Sequence, residues 1–89
     1  MEFNRKDGLI WLGDESDPDA YITYTLDENK VMSITHTVVK KELGGRGIAG
    51  KITDEAVNVA RENGYKILPI CSYAVKYFEK NEELKDLLA

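Results

Sequence analysis

The segment 42-ELGGRGIAGKI-52 carries four of the seven glycines of this 89-residue chain within seven consecutive positions. Apolar and polar residues alternate before it, whereas apolar residues recur every three or four positions after it. Glycines let a backbone approach a ligand closely, and the start of a helix presents free N–H groups and the positive end of the helix dipole. The segment therefore predicts a strand, an anion-binding glycine loop and a long helix, in that order.

Basic residues gather around the same segment. Lys40, Lys41, Arg46 and Lys51 fall within 12 positions of a chain whose net charge is -4. Positive charge beside a glycine loop at a helix start favours a phosphate-bearing ligand. The alternative is a tight turn flanked by a solvated basic surface.

Two familiar phosphate-binding motifs fit this segment poorly. The pattern GxGxxG over residues 45–50 matches a dinucleotide fingerprint, but that motif needs an acidic residue about 20 positions later, and 66-KILPIC-71 has none. The pattern GxxxxGK over residues 45–51 approaches a P-loop, but Ile52 stands where Ser or Thr should reach Mg²⁺. We reject both interpretations.

The residues before position 40 show the pattern of strands. Segments 3–6 and 9–12 flank Asp7-Gly8, a dipeptide suited to a tight hairpin. Segments 21–26 and 31–39 are rich in β-branched and aromatic residues, whereas the acidic segment 13–19 is predicted to be an exposed loop. These features predict an antiparallel meander of about four strands.

The residues after position 40 predict two helices around one strand. The first helix spans about 47–63 and ends at Gly64, a buried strand follows at 66–71, and Ser72 caps a second helix that runs to about residue 80. A strand, a helix and a strand in succession imply a crossover and a parallel strand pair. We therefore predict a single α+β domain, 1–89: a mostly antiparallel sheet, one parallel strand pair joined by a crossover helix, and a C-terminal helix.

Composition narrows the class of protein. With 43% hydrophobic and 31% charged residues the chain is typical of a globular domain, and its longest wholly apolar run is the four residues 9–12. The N-terminus is charged where an export signal would be apolar, and the one cysteine fits a reducing cytosol. The acidic balance argues against nucleic acid as a partner. We expect a cytoplasmic monomer that contacts no membrane.

The glycine loop resembles the pyrophosphate-binding loop of the GNAT superfamily of N-acetyltransferases, whose pattern is Gln/Arg-x-x-Gly-x-Gly/Ala. Gly47 and Ala49 fill the last two defined positions, and Gly44 stands where the family usually has Gln or Arg. The order 34-ITHTV-38, the glycine loop, 60-AR-61, 69-PICSY-73 and 77-YF-78 resembles the minimal, single-domain branch of that superfamily, over residues 21–87.

The resemblance implies an enzyme that binds acetyl-CoA and transfers its acetyl group to a primary amine on a protein, a peptide or a small molecule. A non-catalytic acyl-CoA-binding module is the main alternative, and a protein–protein module with an unoccupied glycine turn is a third. The residues implied to contact coenzyme A come from two strand ends, the loop and the last helix: Thr37, Val38, Val39, Gly44, Gly45, Arg46, Gly47, Ile48, Ala49, Lys51, Cys71 and Tyr77.

Cys71 is the leading candidate for a catalytic residue. It precedes a predicted helix, where the helix dipole favours a thiolate. The resemblance puts this cysteine near the sulfur of coenzyme A, either as a nucleophile that takes the acetyl group or as a proton donor to the departing thiolate. The alternative is a buried cysteine that only packs.

His36, the single histidine, is the second candidate. Strand alternation puts it on the same face as Met32, Ile34 and Val38, which suits a packed core histidine. The resemblance instead implies a histidine beside the active site, where it would act as a general base.

Two family features are absent from the sequence, and no metal is expected. Phe78, rather than Tyr77, aligns with the tyrosine that many larger GNAT enzymes use as a general acid. The two helices that those enzymes insert between their first strands also have no counterpart here, which leaves the acceptor side open. No group of His, Cys and carboxylate residues has the spacing of a metal site.

Overall fold

Five strands form one sheet in the computed structural model, which describes residues 1–89. The strands are β1 (Asn4–Lys6), β2 (Leu9–Asp14), β3 (Asp17–Leu26), β4 (Val31–Val39) and β5 (Lys66–Pro69). They lie in sequence order, with antiparallel pairing from β1 to β4 and parallel pairing between β4 and β5. The helices are α1 (Ile48–Asn63) and α2 (Ser72–Lys80), with short 3-10 helices at Lys41–Leu43 and Glu82–Leu87. This arrangement confirms the predicted fold class.

The core lies between one face of the sheet and the helices. Every buried strand residue shares that face: Ile10, Ala20, Ile22, Met32, Ile34 and Ile67. Seven buried side chains of α1 and two of α2 pack in the same layer. No residue on the opposite face is buried, and no helix precedes Lys41, so that face is uncovered. Neither helix is long and apolar enough to cross a membrane.

The predicted loop over residues 13–19 is wrong, because β2 and β3 extend through most of it as a hairpin. Their pairing continues to Asp14 opposite Asp17, past a bulge between Leu12 and Gly13. Gly13 adopts a φ of 89° there and lies opposite Pro18, which has no N–H to lose from the ladder. Asp14 accepts hydrogen bonds from the N–H and hydroxyl of Ser16 and so closes the turn.

A second bulge turns His36 away from its predicted face. Thr23 pairs with His36 and Tyr24 pairs with Ile34, so Thr35 has no partner residue on β3. Beyond the bulge the alternation is inverted, because Thr37 now lies opposite the buried Ile22. His36 therefore lies on the uncovered face, and its predicted grouping with Met32 and Ile34 is wrong.

The parallel strands part after Ile34. Pairing of β4 with β5 runs from Val31 opposite Lys66 to Ile34 opposite Pro69. The carbonyl of Ile34 then accepts the N–H groups of both Ile70, at 3.0 Å, and Cys71, at 3.2 Å. Strand β5 thus ends at Pro69 rather than residue 71, and residues 35–39 of β4 have no partner in β5. An open strand edge therefore results over residues 35–39 of β4.

Candidate active site

The glycine loop holds a run of unpaired backbone donors. Gly45 and Gly47 have φ values of 81° and 72°, and a Cβ atom built on either would meet nothing within 4 Å. The N–H groups of Gly45, Arg46 and Gly47 donate to no protein atom, and the first hydrogen bond of α1 is donated by Lys51 to Gly47, at 3.1 Å. No side chain caps α1. Six successive N–H groups, over residues 45–50, are therefore free for a ligand.

A cleft of about 290 Å³ adjoins these donors. It is bounded by the end of β4, the glycine loop, the start of α1 and one aromatic residue of α2: Val39, Leu43, Gly44, Gly45, Gly47, Ile48, Ala49, Gly50 and Tyr73. A second pocket of about 320 Å³ shares Gly50 and Tyr73 with the cleft and continues along α2 to Lys76, Tyr77, Lys80 and Asn81. The two pockets adjoin at Gly50 and Tyr73 and are together called the groove.

The basic side chains around the groove differ from those expected. Lys40 binds the β2–β3 hairpin instead, with its Nζ 3.1 Å from Asp17 and 3.6 Å from Asp19, and the Asp17 contact raises the pKa of Lys40. Lys41, Arg46 and Lys51 are exposed and form no ion pair. Positive charge at the loop thus comes from these three residues without Lys40.

Two lysines of α2 belong to the site although the sequence pattern did not predict them. Lys76 and Lys80 line the second pocket, are exposed and form no ion pair. A signal was available, because residues 73, 76, 77 and 80 follow the i, i+3, i+4, i+7 spacing of a single helix face. That face combines two tyrosines with two lysines and forms one wall of the groove.

Cys71 lies where the two parallel strands part. Its Sγ is 3.4 Å from Thr37 Oγ1, across 34 positions of sequence, and 3.4 Å from the N–H of Ala74, whose hydrogen bond it accepts. Cys71 is therefore the N-cap of α2, in place of the predicted Ser72, which is the first residue of that helix. Cys71 is thus a half-buried, free cysteine whose sulfur stands at a helix start and contacts the neighbouring strand.

His36 lies on the other side of β4 from this sulfur. Thr37, the next residue, contacts Cys71 from the helix side of the sheet, whereas the exposed His36 ring faces the uncovered side. His36 Nδ1 is 3.1 Å from Thr23 Oγ1, and no hydrogen bond joins His36 to Cys71. The two predicted catalytic residues thus flank one strand without touching.

Tyr77 contacts α1 through its hydroxyl group, which donates to Asp54. Its ring packs edge-on against Phe78, at 5.0 Å between centroids, and lies 6.4 Å from the ring of Tyr73. Burial and, after it, the Asp54 contact raise the pKa of Tyr77 above its ordinary value. Phe78 is buried in the core, so the position of the usual family tyrosine has no acidic proton.

Tyr77→Phe is expected to reduce the decrease in the free energy of unfolding that the protein shows at high pH. The pKa of Tyr77 is raised in the folded state, so this phenol stabilises the fold below about pH 10, and that contribution is lost as the pH rises further. Melting temperatures of both proteins between about pH 8 and 11 measure the difference. Tyr21→Phe, which removes a hydroxyl that makes no hydrogen bond, is the matched control and should follow the wild type. A Tyr77→Phe curve parallel to that of the wild type would contradict the assignment.

The structure brings most of the predicted contact residues together. Thr37 of β4 and Cys71, the N-cap of α2, meet at the parting of the strands. Six others line the cleft: Val39, Gly44, Gly45, Gly47, Ile48 and Ala49. Tyr77 lines the adjoining pocket, while Val38 points to the uncovered face of the sheet. Arg46 in the loop and Lys51 in the first turn of α1 are exposed.

Comparison with known proteins identifies this architecture. A sequence model of GCN5-related N-acetyl-transferases matches residues 9–87. A GCN5-like candidate N-acetyltransferase from Staphylococcus aureus, solved by NMR, is 36% identical, covering 99% of this chain and 87% of that one at a TM-score of 0.81. A ribosomal-protein-alanine N-acetyltransferase from Brucella melitensis biovar Abortus 2308 shares the fold at 15% identity, covering 91% of this chain and 62% of that one at a TM-score of 0.60.

These matches define the class as an acetyltransferase with a mixed sheet and a glycine loop at the start of its crossover helix. The chain belongs to the GCN5-related N-acetyltransferase (GNAT) family. The predicted family is confirmed, and so is the prediction of an acetyltransferase.

Proposed function

We propose that this acetyltransferase uses acetyl-CoA and transfers the acetyl group to a primary amine. The run of six free N–H groups over residues 45–50 is the observation that carries the proposal. Such a run at the positive end of a 16-residue helix suits a pyrophosphate, which offers several acceptor oxygens and negative charge. Neither Gly45 nor Gly47 carries a side chain that would fill the space in front of these donors.

Basic side chains support the same ligand. Arg46 in the loop and Lys51 in the first turn of α1 are exposed, and they would neutralise the pyrophosphate. Lys76 and Lys80 border the adjoining pocket, where they would meet the third phosphate of coenzyme A. The groove thus matches a long anionic ligand with phosphates at two places.

The open edge of β4 supports binding of the pantetheine arm. Residues 37–39 have no β5 partner, so the backbone groups of Thr37, Val38 and Val39 on that side are available to the amides of an extended ligand. The edge leads from the cleft, which Val39 borders, to Cys71, which contacts Thr37. An extended ligand along it would therefore bring its thioester to the cysteine.

Cys71 would carry the central chemical step, with acetyl-CoA supplying the activated acyl group. In one mechanism the Cys71 thiolate attacks the acetyl carbon as the bond to the coenzyme A sulfur breaks, and the amine then attacks the new thioester and releases the Cys71 thiolate. In the other, Cys71 gives its proton to the departing thiolate while the amine attacks directly. Phe78 has no acidic proton and the hydroxyl of Tyr77 is bound to Asp54, whereas the Cys71 thiol lies at the parted strands.

His36 would act as the general base for the acceptor amine. It lies two residues beyond Ile34, whose carbonyl binds the N–H of Cys71 at 3.2 Å. An amine that approaches from the uncovered face would contact His36, which lies beside the point where β4 and β5 part. The nitrogen of the acceptor amine must lose a proton during acyl transfer. An imidazole side chain accepts such a proton well near neutral pH.

A thermal melt with acetyl-CoA tests the proposal. A ligand at 100 times its Kd stabilises the folded state by about 2.7 kcal/mol, which raises the melting temperature of a domain of this size by on the order of 10 °C. We expect that shift with acetyl-CoA and no comparable shift with NADH or ATP-Mg²⁺ at equal concentration. The absence of a shift with acetyl-CoA at millimolar concentration would overturn the proposal, since the loop would then be a structural turn.

A further inference from the structure

Three side chains form a hydrogen-bonded chain on the uncovered face of the sheet. Thr23 Oγ1 lies 2.7 Å from Thr35 Oγ1 and 3.1 Å from His36 Nδ1, and the Thr35 hydroxyl donates to the Thr23 carbonyl at 3.1 Å. The bulge in β4 makes this possible, because it brings two consecutive residues, Thr35 and His36, to the same residue of β3.

Counting hydrogen atoms fixes the direction of each bond. The Thr35 hydroxyl has one hydrogen, which the Thr23 carbonyl accepts. In the short contact between the two hydroxyls, Thr23 must then donate its own hydrogen to Thr35 Oγ1. Thr23 Oγ1 has no second hydrogen, so only a lone pair faces the His36 ring. His36 Nδ1 must therefore carry a hydrogen and donate it to Thr23. The opposite direction, with Thr23 donating to Nδ1, would leave the single Thr35 hydrogen to be shared between the Thr23 carbonyl and Thr23 Oγ1.

We propose that Thr23, aided by Thr35, holds neutral His36 as the Nδ1–H tautomer and thereby leaves Nε2 as the atom that accepts the proton of the acceptor amine. Thr23 is then a positioning residue that acts through His36, and this inference rests on the proposed function. The hydrogen bond made by one ring nitrogen decides which nitrogen is free. Here it fixes the ring on an exposed surface where the lone pair of Nε2 faces solvent and an incoming amine.

The surrounding sheet supports this role. Thr23 and His36 are directly opposed on adjacent strands, so the ring is held by backbone register as well as by the hydrogen bond. Trp11 of β2 pairs with Tyr21 of β3, which lies two residues from Thr23 on the same face of the sheet. Neither side chain forms a hydrogen bond with the His36 ring. No carboxylate contacts His36, so the threonine pair alone sets its tautomer.

NMR spectroscopy tests the tautomer directly, because the chain has a single histidine. Long-range proton–nitrogen correlations of isotope-labelled protein at about pH 9, where imidazole side chains are neutral, distinguish the two ring nitrogens. We expect the Nδ1–H form in the wild type and a shift toward the Nε2–H form in Thr23→Val. The same variant should lower kcat for acetyl transfer by about 10-fold, because part of the enzyme would hold the wrong tautomer.

Two further variants separate positioning from a general structural effect. Thr23→Ser keeps the hydroxyl and should restore both the tautomer and kcat. Thr25→Val makes the same change on the same face of β3, at a threonine whose side chain makes no hydrogen bond, and should change neither. A wild-type protein in the Nε2–H form, or a Thr23→Val variant with an unchanged spectrum, would overturn the inference.

The inference and the proposed function fail in different ways. Binding of acetyl-CoA in the melt together with an Nε2–H spectrum overturns only the role of Thr23. An Nδ1–H spectrum that Thr23→Val alters, in a protein that does not bind acetyl-CoA, overturns the proposed function and with it the catalytic purpose of the tautomer.

Discussion

Cys71→Ala is expected to lower the rate of acetyl transfer by about 100-fold or more, the usual contribution of a positioned acid, base or nucleophile. The sulfur stands at the parting of β4 and β5, within 3.4 Å of Thr37 Oγ1. Binding of acetyl-CoA should change little, because its phosphates would contact the loop over residues 45–50 rather than the cysteine. Steady-state kinetics with a primary amine, alongside a thermal melt with acetyl-CoA, measures both quantities.

Cys71→Ser is the matched variant for this prediction. Cys71 also caps α2 by accepting the N–H of Ala74, and alanine would lose that cap. Serine is among the preferred N-cap residues, so Cys71→Ser should hold α2 at least as well as the wild type. Its hydroxyl is a much weaker acid than a thiol, so acetyl transfer should stay low in a stable protein. Wild-type rates in either variant would show that Cys71 has no catalytic role.

Mass spectrometry of the wild-type protein separates the two mechanisms available to Cys71. Incubation with acetyl-CoA in the absence of an amine should leave one acetyl group on the protein if Cys71 is the nucleophile. A protein of unchanged mass with normal turnover would instead assign Cys71 as the proton donor. Iodoacetamide treatment, which blocks the thiol, should prevent acetylation in the first case.

Local sequence signals predicted the elements that carry the loop. Helix α1 runs from Ile48 to Asn63 between Gly47 and Gly64, as the glycines and the helical period indicated. Both glycines have a φ of 72°, a conformation that few other residues adopt at low cost. Signals that depend on a few neighbouring residues were therefore sufficient for the most informative part of the fold.

The errors occurred where pairing between strands overrides the local pattern. The one unpaired residue of β4, Thr35, inverts the faces of every residue after it, and no composition or spacing rule marks that position. Strand alternation therefore puts His36 on the same face as Ile34, whereas the residue is exposed on the opposite face. Segment 13–19 has the composition of a loop, yet the register between β2 and β3 continues through it.

The site also depends on contacts between residues that are far apart in the sequence, which no sequence pattern predicts. The resemblance implies both Thr37 and Cys71 as contact residues, but their contact with each other arises only because the chain turns away from β4 after pairing with Ile34. The role of Thr23 depends on a hydrogen bond across 13 positions. A sequence pattern can nominate such residues singly, whereas their arrangement is a property of the folded sheet.

Gly47→Ala is expected to weaken the binding of acetyl-CoA by about 10- to 100-fold, which corresponds to the loss of one hydrogen bond to a charged group. Gly47 borders the cleft and stands at the centre of the run of free N–H groups. A built Cβ meets nothing within 4 Å, so the methyl group fits the free protein but occupies space in front of the donors. Isothermal titration calorimetry with acetyl-CoA measures the change.

Gly64→Ala separates loss of the binding site from backbone strain. Gly64 ends the same helix with the same φ of 72°, and its built Cβ also meets nothing within 4 Å. Alanine in this left-handed conformation costs on the order of 1 kcal/mol, so both variants should lose similar free energy of unfolding. Only Gly47→Ala should lose affinity, because Gly64 lies at the opposite end of α1 from the loop. Equal affinities for the two variants would mean that the donors at the start of α1 do not hold the pyrophosphate, whatever the family of the chain.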